Sequence, residues 1–462
     1  MAIAAIGVQA LLSYFLIRSA KESICLTSFF VLIWNIMFTL RLIQISIGPN
    51  PLVDHPIVVG ASHYAISIIW ILTTLAFVGF AIGGFVARRL IPRGSLKSVA
   101  LSRQRISVLL VAFIGGYMIL ALTHANSGIL VNVAEFYLFG IAFAAHQSET
   151  RGRPLGVELL AVVAAGFAAI LFGFKEVAVL AVIAWVIGRF SARRRIITLT
   201  SLGVALLGLL FYIGIQSQRD AALFGEPTDF VTATMRGLKE YDFPTGLRRH
   251  KTGIDIPINV VSAVASRARG ADSLFVLQAR LPGSVGFLAG RSLWQPVVSS
   301  VPGLQGLVSI DFPQLSLGRY FNQTFWSLRP AEDVSSQPLT VPGDFYLNFG
   351  VVGVFVGMAA VGFMFTLIDR RCPVRSATSA GLFAYAAVPL LSIERNVAYL
   401  AVTGLIRYSL GLLLIAALNN VVLRGSGAVR PSRGRQRGGY FGRPDAKSDV
   451  CVYLPSLKDT PH

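Results

Sequence analysis

Apolar residues in this chain come in long, nearly continuous runs. The runs fall at 2–17, 24–47, 65–87, 106–123, 129–145, 157–172, 176–190, 196–215, 344–368, 377–393 and 398–420. A helix rising 1.5 Å per residue needs about 20 such residues to cross a hydrocarbon core about 30 Å thick. The pattern therefore predicts an all-α, polytopic membrane protein with about 11 transmembrane helices. The sixth and seventh runs are the shortest, and read either as a full hairpin or as a re-entrant pair. The first run lacks the basic start and cleavage site of a signal peptide and is read as a retained span. Four regions follow: 1–215 with spans 1–8, a polar stretch 216–343, 344–423 with spans 9–11, and a tail 424–462.

Composition agrees with this reading and removes one class outright. With 54% apolar residues, 14% charged and a mean hydropathy of +0.66, the chain is too apolar for a water-soluble enzyme. Its net charge of +19 is concentrated at span ends. The connection 88–105 holds Arg88, Arg89, Arg93, Lys97, Arg103 and Arg105, and Arg189, Arg193, Arg194 and Arg195 crowd another turn. Basic short loops stay on the cytoplasmic side, so alternation from these anchors places the N-terminus outside and the C-terminus inside. The segments 48–64, 124–128, 216–343 and 394–397 then lie outside. The Gly/Arg-rich tail after Arg424 is expected to be disordered and to lie against anionic membrane lipids. It has too few interleaved aromatics to bind nucleic acid, so no nucleic-acid partner is expected. Cys25, Cys372 and Cys451 form no CxxC pair, and neither a disulfide nor a thiolate metal site is expected.

The outer stretch 216–343 is 128 residues long, with twelve Lys/Arg against ten Asp/Glu. Its middle is basic: Arg248, Arg249, Lys251, Arg267, Arg269, Arg280 and Arg291 face only Asp255 and Asp272. Arginine grips phosphate oxygens through a planar two-bond fork, and a loop above the bilayer is where the diphosphate of an isoprenoid carrier would sit. For each arginine singly, a solvated charge or a local ion pair remains the alternative.

Four features of this region carry a family resemblance. One long loop stands late among many helices. Arg267 precedes Gly283 by fifteen intervening residues. The stretch Leu288-Ala-Gly-Arg-Ser-Leu-Trp-Gln-Pro follows, and Thr340-Val-Pro-Gly-Asp-Phe-Tyr-Leu-Asn-Phe-Gly-Val-Val-Gly enters the next span. In this order the segments resemble the bacterial O-antigen polymerases (oligosaccharide repeat unit polymerases), related to the O-antigen ligases, over most of the chain. One departure is plain: where the ligase-like motif has histidine, Leu339 stands here.

The resemblance implies an enzyme of the bacterial cytoplasmic (inner) membrane, a glycosyltransferase-type polymerase. It would move a growing saccharide from one polyprenyl diphosphate to the next lipid-linked repeat unit on the outer face. No cofactor or metal is expected, because fixed guanidinium groups offset the charge developing on a diphosphate leaving group. Arg267, Arg269 and Arg319 are the candidate catalytic residues. Arg291, Lys175, Arg395, Trp294 and Tyr320 are candidate substrate-binding residues, with Trp326 beside them. Asp344 is the candidate base, with Asp311 and Asp272 as alternatives. The partners implied are a polyprenyl-diphosphate-linked oligosaccharide, membrane lipids, a chain-length regulator and a flippase.

Charges near spans need their own accounts. Arg41 is expected to snorkel to the outer interface, Lys175 pairs locally or meets a phosphate, and Arg407 pairs with Glu135 or lines a headgroup cavity. Gly350, Gly353 and Gly357 fall at the spacing of a helix-to-helix contact. The loop cluster Asp54, His55 and His63 keeps a rival open, a polyprenyl-phosphate-sugar transferase with a metal or base early in the chain. A transporter or flippase is disfavoured, because no internal repeat is visible.

Overall fold

A computed structural model of the chain describes residues 1–20, 25–48, 55–94, 103–123, 133–152, 156–172, 175–193, 270–283, 286–294, 317–326, 339–387 and 397–426, with short pieces between 229 and 248. The described residues are almost wholly helical: α1 (Ala2–Ala20), α2 (Leu26–Ile47), α3 (Pro56–Val59), α4 (His63–Leu90), α5 (Arg103–Leu122), α6 (Tyr137–Thr150), α7 (Val157–Phe172), α8 (Lys175–Arg193), α9 (Gly270–Arg280), α10 (317–326), α11 (Val341–Arg371), α12 (377–387) and α13 (Val397–Ser426). The strands among them are a minimal antiparallel pair, Tyr241–Asp242 with Leu247–Arg248. Three helices, α2, α4 and α11, are long and apolar enough to cross a membrane. The eighth apolar run, 196–215, lies outside the described residues, as does the tail from 427 onward.

The centre is the pairing of α4 with α11. Gly83 and Gly362 lie where the two backbones touch: a methyl group at Gly83 would overlap the Ala359 carbonyl, and one at Gly362 the Phe80 carbonyl. Small residues at such a crossing let helices approach closely, and dispersion between them replaces hydrophobic drive. Against this seam α2 lays Phe30 and Trp34. Phe30 stacks on Phe80 with centroids 3.9 Å apart and meets Phe365 edge-on at 5.5 Å. Side-chain bonds tie α1 to the same core. Gln9 donates to Thr74 Oγ1 (3.0 Å), Thr39 to Gln9 Oε1 (2.6 Å) and Asn35 to Ser13 Oγ (3.2 Å). Asn35 and Thr39 belong to a π-helical stretch, Asn35–Leu40, inside α2.

The basic helix ends gather at one end of the molecule. Arg88 of α4 donates to the Leu16 carbonyl of α1 (3.2 Å), and Gly94 N–H to the Arg370 carbonyl of α11 (2.8 Å). Here Asp369 caps α2, accepting from Leu26 N (2.6 Å), Thr27 N (3.0 Å) and Thr27 Oγ1 (2.6 Å). A carboxylate at a helix N-terminus takes up donors that have no partner within the helix and favours the dipole.

Helices α6, α7, α8 and α12 form a second packed group. An ion pair, Glu149–Arg189, and a His146 Nδ1–Ser191 Oγ bond (2.8 Å) join the C-terminal ends of α6 and α8, so these run parallel with α7 returning between them. The sixth and seventh runs are thus complete helices of 16 and 19 residues, about 24 and 28 Å long at 1.5 Å per residue. Arg407 of α13 pairs with Glu135, one of the two accounts the sequence left open.

Cys372, just after α11, is buried and hydrogen-bonded through Sγ to the Tyr408 hydroxyl (2.5 Å). Burial pushes its thiol up from the ordinary value, and only a thiolate is nucleophilic. Cys372 is therefore expected to resist maleimide at pH 8 in the folded protein and to label fully after denaturation, as mass spectrometry of the labelled peptide would show.

Candidate functional site

At the end opposite the basic termini, α11 is not one helix. Gly350 takes φ 64°, ψ −149°, a conformation essentially reserved for glycine, and the chain turns back on itself there. Phe345 and Phe349 of the first half, 341–349, consequently pack against Gly357 and Gly353 of the second. Gly353 and Gly357 thus serve a helix-to-helix contact, as their spacing suggested, and the partner is the half-helix of the same segment, while Gly350 makes the turn.

A half-helix ending at Gly350 leaves carbonyls without partners, and the loop 286–294 supplies them. Leu288 N–H donates to Leu347 O (3.1 Å), Ala289 N–H to Asn348 O (3.0 Å) and Gly290 N–H to Asn348 Oδ1 (2.9 Å). The loop achieves this with left-handed backbone at Ala289 (φ 49°) and Gly290 (φ 91°). Under it Asp344, fully buried, accepts from Ser292 Oγ (2.8 Å), Asn348 Nδ2 (3.0 Å) and the Val397 N–H that opens α13 (3.0 Å). Asn348 Nδ2 also donates to Ser292 Oγ (2.6 Å). The carboxylate of Asp344 joins three segments, and an acceptor hydroxyl would have to displace these donors to reach it.

Thr340 Oγ1 caps the half-helix through Gly343 N–H (3.2 Å) and bonds Ser273 Oγ of α9 (3.0 Å). The next residue back, Asp272, is held by Arg41 of α2. Nε donates to Oδ1 (2.8 Å) and Nη2 to Oδ2 (2.7 Å), both side chains are fully buried, and Nη1 reaches Gln44 Oε1 (2.6 Å). Two expectations are corrected: Arg41 does not snorkel, because a carboxylate meets it inside the protein, and Asp272 is committed to that pair and is no free base.

Of the predicted site residues, Arg291 is exposed on the single turn 291–294, and Trp294 on the same turn is 64% exposed. Arg319 and Tyr320 are half-buried on α10, where burial raises the Tyr320 hydroxyl's pKa despite a bond to Thr324. Lys175 is the first residue of α8, at the end away from the Glu149–Arg189 pair. Arg267, Arg269, Arg395, Asp311 and Asp54 lie outside the described residues.

His55 caps α3. Its Nδ1 accepts from Ile57 N–H (3.2 Å), so Nε2 carries the proton and donates to the Trp326 carbonyl (2.8 Å). Both nitrogens are engaged, which removes His55 from the cluster that the rival reading needs. Ser292 and Asn348 were not singled out from sequence. The one available signal was Asn348 standing four residues after Asp344 on a helical face.

Comparison of the chain with family models, with curated proteins and with solved structures finds no match.

Proposed function

We propose that the chain is a multi-spanning enzyme that joins lipid-diphosphate-linked oligosaccharide units at the outer face of a bacterial cytoplasmic membrane. The single observation that carries the reading is the docking of 286–294 onto 341–349, because these are two of the segments that resemble the polymerase family. They form one unit, with Arg291 and Trp294 exposed on it. An exposed guanidinium beside an exposed indole suits a ligand with phosphate at one end and a sugar face at the other.

Three physical points support the setting. Large apolar residues are exposed along helices, among them Val108, Val111 and Ile119 of α5 and Val352 and Val356 of α11, a distribution that lipid tolerates and water does not. The basic ends lie opposite the proposed site, as the positive-inside rule asks of an outward-facing one. A guanidinium clamp formed by Arg267, Arg269 and Arg319 with Arg291 would stabilise the departing diphosphate by electrostatics that strengthen in the transition state.

The test is the size distribution of lipid-linked saccharides in cells lacking the protein. Single units are expected to accumulate on the outer face, relieved by the native chain and not by Arg267→Ala. Arg291→Ala is expected to lower polymer formation about tenfold to a hundredfold, the loss of one charge-assisted contact. An otherwise normal polymer lacking one sugar would replace this reading with a single-sugar transferase, and units trapped on the cytoplasmic face with a flippase.

A further inference from the structure

A charged pair with both members fully buried is poor value as a stabiliser, since two ions must be stripped of water and an apolar pair of similar size holds a fold equally well. The Arg41–Asp272 pair therefore needs another account, and its position supplies one. The partners are 231 residues apart, one on the long apolar helix α2 and the other in the first turn of α9, outside every apolar run. Gly270 opens α9 directly against α2: a methyl group there would stand 3.1 Å from the Met37 carbonyl and 3.2 Å from Phe38. Met37 and Phe38 belong to the π-helical stretch that ends where Arg41 begins, so that stretch shapes both the seat for Gly270 and the reach of the guanidinium.

From Asp272 the contacts continue without a gap. Ser273 bonds Thr340, Thr340 caps the half-helix, and the half-helix holds the 286–294 loop through Asn348 and Asp344.

We infer that the Arg41–Asp272 pair is a positioning device: it pins the start of α9 to α2, so that the half-helix 341–349 bonded to α9 and the Arg291 loop it carries are held at a set height over the spans. The guanidinium fork suits this task, because two parallel bonds fix direction as well as distance. Arg41 touches no substrate. It acts through α9, and this role rests on the polymerase reading only for its consequence in turnover.

The experiment compares purified full-length native protein with Arg41→Lys, which keeps the charge and loses the fork. It adds Arg41→Met/Asp272→Leu, which keeps the volume and removes both charges, so that a folded variant is at hand if the lysine variant fails. Hydrogen exchange and turnover of a lipid-diphosphate-linked saccharide are both measured in lipid nanodiscs. Exchange in peptides covering 270–280 and 286–294 is expected to rise about tenfold while α4 stays protected. The turnover rate is expected to fall about tenfold with KM within about twofold, since groups displaced by an ångström lose rate more than binding. Unchanged exchange in both variants would overturn the proposal, and so would raised exchange with full turnover. Raised exchange in a protein whose native form makes no polymer would sustain the pinning and sink the polymerase reading alone.

Discussion

Asp344→Ala is expected to undo the outer end of the molecule while leaving its centre folded. The change removes the acceptor for Ser292 Oγ, Asn348 Nδ2 and Val397 N–H at once, at a site with no exposure to water. Each donor left without a partner costs about 1–3 kcal/mol; Ser292 Oγ and the Val397 N–H lose theirs, whereas Asn348 Nδ2 keeps the Asp344 backbone carbonyl and Ser292 Oγ. Loop 286–294 loses its floor and α13 its first anchor, so proteolysis within 286–294 is expected to accelerate. Asp344→Asn retains one carbonyl oxygen and the shape, and is expected to cost less than half as much. The asparagine variant also separates the two roles open to this residue. A general base loses its chemistry with asparagine however well the fold survives, whereas a residue that only joins segments keeps polymer formation. Polymer formation by a folded Asp344→Asn protein would end the base reading.

The second large effect concerns the seam between α4 and α11. At Gly83 even a methyl group meets a backbone carbonyl, which has no rotamer with which to withdraw, and the same holds at Gly362. Overpacking a close contact costs about 1–3 kcal/mol when neighbours yield, and here the helices themselves must separate. Gly83→Leu is expected to lower the unfolding midpoint in detergent by more than any change on the outer loop, and to loosen the Phe30, Phe80 and Phe365 cluster behind the seam. Gly115 of α5 serves as the control, since a methyl group there meets nothing within 4 Å. Gly115→Ala is expected to be neutral or to stabilise by up to about 1 kcal/mol through helix propensity. Equal losses at Gly83 and Gly115 would show that the seam is not tight in solution.

The helices were legible because their signal is local. Runs such as 65–87 and 344–368 are predominantly apolar, and the structure extends them to 63–90 and 341–371 by adding the caps, Ser62 with its acceptor for Ala65 N–H and Thr340 for Gly343 N–H, and the basic last turns. Charge counting was equally direct: Arg88, Arg89, Arg370 and Arg371 do lie at one end. The break at Gly350 was not legible, because a glycine in an apolar run reads as packing as readily as turning. Its positive φ goes with the 286–294 loop, which satisfies the carbonyls of Leu347 and Asn348 beside the break.

The pairing of Arg41 with Asp272 belongs to the same kind. Each residue alone had a local account, a snorkelling arginine and a loop carboxylate, and nothing within either neighbourhood names a partner 231 positions away. The sequence by itself determined that the apolar runs within the described residues are helical, three of them long enough to cross a bilayer, and where the basic ends gather, because hydropathy and charge act residue by residue. The tertiary structure alone decided which polar groups meet inside it. A buried donor or ion is tolerated only where a partner is delivered by another part of the chain, and that delivery is a property of the fold.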